Sequence, residues 1–205
     1  MKFIWTAVLL LLTACTGGTE TARIAGEADA FGRVILLIED NYAGTGFSAH
    51  INRHPVDSYE AEAYILPRDN IDSSRLYPNQ RVQVTKDTGQ GIMLERDRHL
   101  AHDDRFLPVI HTEAEALPYT ESDLLHYFRP VESHHWLFIT ADTLPAGLLA
   151  EMFDFLPDGY RLQTHTPAPE MASFLDSAYY LLDSEGTLIE SSSPEKILQA
   201  LEEGV

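Results

Sequence analysis

Short apolar runs, each closed by Gly, Pro, Asn or Asp, most constrain what this chain can fold into. Gly32-Arg33 leads into Val34-Ile35-Leu36-Leu37-Ile38, which stops at Glu39-Asp40-Asn41. Gly44-Thr45-Gly46 opens a run from Phe47 to Ile51 with Phe47, Ala49 and Ile51 on alternate positions. Ala61 to Leu66 ends at Pro67, Arg81 to Thr85 runs into Lys86-Asp87-Thr88-Gly89, and Gly91-Ile92-Met93-Leu94-Glu95 closes the set. Runs this short, rich in β-branched residues and bounded by turn formers, predict strands. Five of them in sequence predict a small barrel, because closure hides the edges an open sheet would expose.

After residue 133 the pattern changes. His135 to Thr140 reads as a strand, and Pro145 opens a helix on which Leu148, Leu149, Met152, Phe153 and Leu156 form one apolar stripe, ended by Pro157-Asp158-Gly159. Tyr160 to Thr164 is a second strand, and Ala178 to Asp183 a third that turns at Ser184-Glu185-Gly186 into Thr187-Leu188-Ile189. Ser193-Pro194-Glu195 starts a last helix carrying Ile197, Leu198 and Leu201. The order βα, β, β-hairpin, α belongs to a layered α/β unit.

Charge divides the chain in the same place. Of its 205 residues, 14 are Lys or Arg and 32 Asp or Glu, a net of −18. Thr16 to Ile110 holds ten basic and fifteen acidic residues, whereas His111 to Val205 holds only Arg129, Arg161 and Lys196 against seventeen acids, a net of −14. The asymmetry predicts two units joined near 97–120, a stretch containing Asp97-Arg98-His99, His102-Asp103-Asp104-Arg105, Pro108 and Pro118. The acidity argues against nucleic acid as a partner, since a phosphate backbone calls for a Lys/Arg footprint. With 44% apolar residues the chain has enough material for a core. Its single cysteine excludes an internal disulfide, a CxxC pair and a Cys-rich zinc site.

That cysteine follows a leader. Lys2 precedes an apolar and small-residue stretch from Phe3 to Leu12, then Thr13, Ala14 and Cys15. A bilayer core takes about 18 or more apolar residues, so this stretch fits a signal-peptide core rather than a membrane helix. Leu12-Thr13-Ala14-Cys15 resembles the lipobox of bacterial lipoproteins. The resemblance implies lipid on the Cys15 thiol and, with Thr16 rather than aspartate next, the periplasmic face of the outer membrane of a two-membrane bacterium. Residues 16–29, poor in large apolar side chains, then read as a flexible tether.

Between Gly32 and Leu94 the layout resembles the small periplasmic copper-binding barrels of the CusF type. Leu76-Tyr77-Pro78-Asn79-Gln80-Arg81-Val82 stands where that family has Leu-x-Pro-Gly-Asp-x-Val. The family's ligands lie in a Trp-x-x-Met-x-Met stretch, whereas Tyr59 to Tyr64 has neither Met nor Trp, so copper binding does not carry over. Ser133 to Glu203 resembles a thioredoxin fold, with Tyr179 to Ile189 as its penultimate hairpin. Sco-like copper-delivery lipoproteins join a lipid anchor to this fold, some with a CusF-type barrel in front. They carry Cys-x-x-x-Cys after the first strand; here Thr140-Ala141-Asp142-Thr143-Leu144-Pro145-Ala146 follows, and without a thiolate there is no disulfide exchange.

Other chemistry finds little footing. His50 and His54, His99 and His102, and His134-His135 are spaced poorly for one ion, although His165 would approach His134 if their strands pair. No Gly-x-Ser-x-Gly elbow occurs, and Ser191-Ser192-Ser193 reads as a turn and helix cap. Tyr59, Tyr64, Tyr77, Tyr119, Tyr127, Phe128 and Trp136 read as core or joint packing, and 123–128 as a short helix.

The expectation is therefore an α+β or α/β chain: a signal peptide over 1–14, a lipidated tether over 15–29, an OB-like β-barrel over 30–97, a linker and short helix over 98–132, and a thioredoxin-like βαββα unit over 133–205. Cys15 is the one assigned site, for lipid attachment; no catalytic residue, metal ligand or cofactor is assigned. The function expected is that of a noncatalytic envelope lipoprotein, a binding or accessory module held to the membrane and meeting an envelope protein partner. The alternative is a periplasmic copper chaperone using His134, His135 and His165.

Overall fold

The computed structural model describes residues 19–27, 34–39, 63–85, 92–93, 106–107, 109–130, 133–141 and 143–203. They form a mixed α+β structure dominated by two sheets.

The first sheet has five strands in the order β3 (Ala63–Pro67), β2 (Val34–Glu39), β1 (Thr19–Glu27), β4 (Arg81–Thr85), β7 (Ala114–Ala116), every neighbouring pair antiparallel. Its core gathers Ile24, Ile35, Leu37, Leu66, Val82, Val84 and Ile110. On β4 the alternation is plain: Val82 and Val84 are buried between exposed or half-buried neighbours, as period 2 requires. Isolated parallel bridges tie β3 to Val109 through Ile65 and β7 to Ile71 through Ala114. No continuous ladder closes a barrel among the described residues.

Two sequence expectations change here. The tether read over 15–29 contains β1, the central strand, paired with β2 on one side and β4 on the other. Its small residues suit that place: Ala22 and Ile24 enter the core, and a register shift between Ile24 and Gly26 lets Ala25 be buried as well. The linker over 98–132 is partly sheet, since Phe106–Leu107 is β6 and Ala114–Ala116 is the edge strand β7. Of the run around Gly91 the described residues are β5 (Ile92–Met93), which pairs with β6 in a separate ladder. The strand expected from Phe47 to Ile51 lies outside the described residues.

The second sheet has the order β11 (Thr187–Ser191), β10 (Tyr179–Leu182), β8 (His135–Thr140), β9 (Arg161–His165). β8 and β9 are parallel, and the other pairs antiparallel. One face, with Trp136, Phe138, Tyr179 and Leu181, packs on α2 (Leu148–Asp154) and α4 (Pro194–Glu202). The other face, with Ile139, Tyr180 and Leu182, packs on α1 (Glu121–Phe128) through Leu124 and Phe128. The short α3 (Pro169–Ala172) contributes Met171 to the same side.

Local signals explain most boundaries. Asp183 Oδ1 accepts from the amides of Glu185 and Gly186 at 2.7 and 2.9 Å, closing the hairpin that the sequence announces. α2 begins at Leu148 rather than at Pro145, behind Gly147 at φ +90°. At about 100° per residue Phe153 falls at the margin of the stripe made by Leu148, Leu149, Met152 and Leu156, and it is 54% exposed. Ser193 occupies the N-cap of α4 without a capping bond, and Pro194 sits at its first turn. Ser191 instead holds the turn, its Oγ accepting from Ser193 N at 3.0 Å.

Candidate functional site

Two places bring polar chemistry together. The first is a buried joint between the sheets, built on Asp123 of α1. Thr120 caps the helix by a reciprocal box: Asp123 Oδ2 accepts from Thr120 N and Oγ1 at 3.0 and 2.8 Å, and Asp123 N donates to Thr120 Oγ1 at 3.3 Å. The other carboxylate oxygen, Oδ1, accepts from Arg23 Nη1 of β1 at 3.0 Å and from Arg81 Nε of β4 at 2.8 Å. Asp123 is 1% exposed and Arg23 8%. Arg23 Nη1 also donates to Asn79 O at 3.2 Å, and Asn79 Nδ2 donates to Asp123 O at 3.2 Å. Asn79 stands at φ +62°, which Asn tolerates better than most residues.

An aromatic group closes this joint. Tyr77 stacks on Tyr119 at 4.8 Å, and Phe174 meets both edge-on at 5.1 and 4.8 Å. Burial, and next the negative Asp123, push the Tyr119 hydroxyl well above its ordinary pKa, and it donates to Pro78 O at 3.1 Å. On the far side of α1, the Tyr180 hydroxyl bonds the Glu121 carboxylate and accepts from Ser177 N; burial first, then that carboxylate, raise its pKa strongly. These groups are committed to packing the chain together.

The second place is a cleft of ≈ 470 Å³ lined by Thr140, Ala141, Thr143, Leu144, Thr164 and Thr166. It lies at the carboxyl ends of the parallel strands β8 and β9, where crevices of open α/β sheets take ligands. Thr140 shares the strand face of Trp136 and Phe138 by alternation, so the cleft opens on the side of α2. Ala141 N donates to Ala178 O at 2.9 Å and pins the loop that leaves β8. Four threonines, Ala141 and Leu144 line its described walls.

The histidines do not converge. β8 and β9 pair, but in parallel, so His134, whose carbonyl accepts from Arg161 N, lies at one end, while His165 is level with Ile139 at the other. At roughly 3.3 Å per residue this separation is about 16 Å, so the approach of His165 to His134 expected from strand pairing does not occur. His135 is level with Arg161, four positions from His165. No group of three or more His, Cys, Asp or Glu side chains suited to an ion occurs among the described residues. His50, His54, His99, His102 and Cys15 lie outside them. Of the aromatics, Tyr64 and Trp136 are buried in the two cores and Tyr77 and Tyr119 are in the joint, while Tyr59 lies outside the described residues.

His165 has a structural partner in Phe128, ring to ring at 4.4 Å, and partial burial lowers its pKa from the ordinary 6.5. The unfolded chain therefore binds the proton more readily, so stability rises with pH through the window below 6.5 and is lost as pH falls. The urea midpoint is expected to drop between pH 7.5 and pH 5, and His165→Phe to reduce that slope. An unchanged slope in the variant would remove His165 from the account.

The cleft's hydroxyls and the Arg23–Asp123 pair carry no spacing motif that reading along the chain detects; only the paired strands bring them together. The chain matches no protein-family model, no curated protein and no solved structure.

Proposed function

We propose that this chain is a lipid-anchored protein of a bacterial cell envelope, combining an OB-like unit with a thioredoxin-like unit that binds rather than exchanges electrons. The observation that carries the reading is the cleft at the end of β8. A thioredoxin-like fold places its thiols in the loop after this strand, and here Thr140, Thr143, Thr164 and Thr166 line the space. The order β11-β10-β8-β9, with only β8 and β9 parallel, supports the thioredoxin-like reading.

The order of the other sheet, with β3 bridged in parallel to Val109 and β7 bridged in parallel to Ile71, supports the OB-like one. Asn79 adds to it: its φ of +62° is a conformation suited to the glycine that CusF-type barrels have at this place. Both supports concern architecture, and the absence of a thiolate from the loop concerns chemistry.

The anchor would sit close to the fold. Three residues separate Cys15 from the first residue of β1, so at most ~14 Å of chain joins the lipid-bearing Cα to the sheet. A partner would then be met near the membrane surface. Two or more acyl chains, at about 0.8 kcal/mol per buried CH₂, make such attachment durable.

Cys15→Ser is expected to abolish incorporation of labelled palmitate and to move the chain from the membrane to the soluble fraction. Unchanged labelling and fractionation would overturn the anchor. Stoichiometric copper in the purified protein, lost when His134, His135 and His165 are replaced, would instead favour a chaperone.

A further inference from the structure

We infer that the outer edge of β9 takes up an extended, cationic segment of a partner protein as an added strand, beside the threonine-lined cleft. This rests on the reading of the chain as a binding module and names what it binds. β9 ends the four-stranded sheet, and among the described residues it pairs with β8 alone. Arg161 N donates inward to His134 O at 2.9 Å. Amides alternate sides along a strand, so those of Gln163 and His165 also face β8. The N–H and C=O groups of Leu162 and Thr164 therefore face away from the sheet.

The two edges of this sheet differ. β11 carries Glu190, has an irregular register with β10 between Leu181 and Leu182, and packs on α4. An internal charge and a broken register are devices that blunt an edge. β9 runs in unbroken register from Arg161 to His165 with no acid, lysine or proline within it, and its one permanent charge is the positive Arg161 at its first residue. Arg161, Gln163, Thr164 and His165 are all exposed. Such an edge is a template for β-augmentation, in which main-chain bonds supply affinity and side-chain pockets supply selectivity. Thr164 lines the cleft, so a side chain of the added strand beside it has a place to enter.

Charge selects the occupant. Residues 111–205 carry three basic against seventeen acidic side chains. A second copy would bring two units of net charge −14 together, whereas a lysine- or arginine-bearing strand is drawn in by that overall field, with its cations set away from Arg161.

The test uses the full chain in detergent and a fluorescein-labelled acetyl-(Lys-Thr)5-amide probe. Saturable binding is expected, at least tenfold tighter than for the (Glu-Thr)5 counterpart. Thr164→Pro deletes an outward amide without touching the β8 ladder, and it is expected to weaken binding at least tenfold with an unchanged circular dichroism spectrum. Thr164→Val keeps the amide and is expected to bind within threefold of the parent.

Should the proline variant misfold, slowed hydrogen exchange at the Leu162 and Thr164 amides on adding the probe decides the matter. No binding at 1 mM, equal binding by a folded Thr164→Pro variant, or unslowed exchange at those amides would overturn the proposal. So would a dimer that Thr164→Pro dissolves, which would assign the edge to a second copy. Palmitate labelling and membrane retention are unaffected by any of these results, so the anchor stands or falls separately.

Discussion

A chain beginning at residue 28 is expected to lose the cooperative unfolding transition of the five-stranded sheet, while one beginning at residue 19 keeps it. β1 lies between β2 and β4 and is paired to each from Ala22 or Thr19 onward, so its removal leaves two exposed edges in the middle of the sheet. It also withdraws Ala22 and Ile24 from a core that includes Ile35, Leu37, Val82 and Val84. Loss of one large buried aliphatic side chain costs about 2–5 kcal/mol, and a whole domain holds only about 5–15 kcal/mol. Deleting the central strand with its ladders therefore exceeds the stability available. Ala22→Pro is the point-mutant version: Ala22 is 4% exposed and paired with Glu39 and Val82. Proline in a central strand removes a ladder donor and is sterically unwelcome, so its urea midpoint is expected to fall sharply. If the chain from 28 unfolded with the midpoint and slope of the chain from 19, β1 would be dispensable and residues 16–29 a tether after all.

The contrast between β1 and the second half shows what a sequence carries. Tyr179 to Ser191 is legible because its signals are local: an apolar run, an aspartate whose side chain bonds the next amides, a glycine, a second apolar run. α4 is legible for the same reason, with Pro194 at its start and Ile197 and Leu201 on one face. β1 lacks such signals. Within Thr19–Glu27 Ile24 is the only large apolar residue, and its polar positions resemble those of a linker. What makes it a central strand is remote: Val82 and Leu37 cover it on either side, and Asp123, a hundred positions along the chain, neutralises Arg23.

β7 is hidden in the same way, since Ala114-Glu115-Ala116 has little intrinsic strand character and is recruited by β4. The cleft was legible only as an absence of thiols after β8; its position needed the parallel pairing with β9, which also separates His134 from His165.

Asp123→Ala is expected to lower stability by about 3–5 kcal/mol, the usual cost of removing one partner from a buried ion pair. Arg23 would keep its charge in a site where its side chain is 10% exposed, facing the space left by the carboxylate. Arg81, at 35%, turns to solvent more easily, so most of the cost falls on Arg23. Thr120 would lose the acceptor for its amide and hydroxyl together, a further loss at the first turn of α1. Asp123→Asn is expected to rescue little, because its amide would present donors either to Thr120 or to the two guanidinium groups. The double replacement Arg23→Met with Asp123→Leu removes the buried charges together and is expected to recover much of the loss.

Because Asp123 joins α1, which covers the second sheet, to strands of the first, Asp123→Ala is further expected to split one urea transition into two. In a Trp5→Phe background, circular dichroism would follow both sheets, and fluorescence of Trp136, buried in the second core, would follow that core alone. Coincident transitions in Asp123→Ala, at a midpoint near that of the parent, would show that the aromatic group of Tyr77, Tyr119 and Phe174 holds the sheets together without the ion pair.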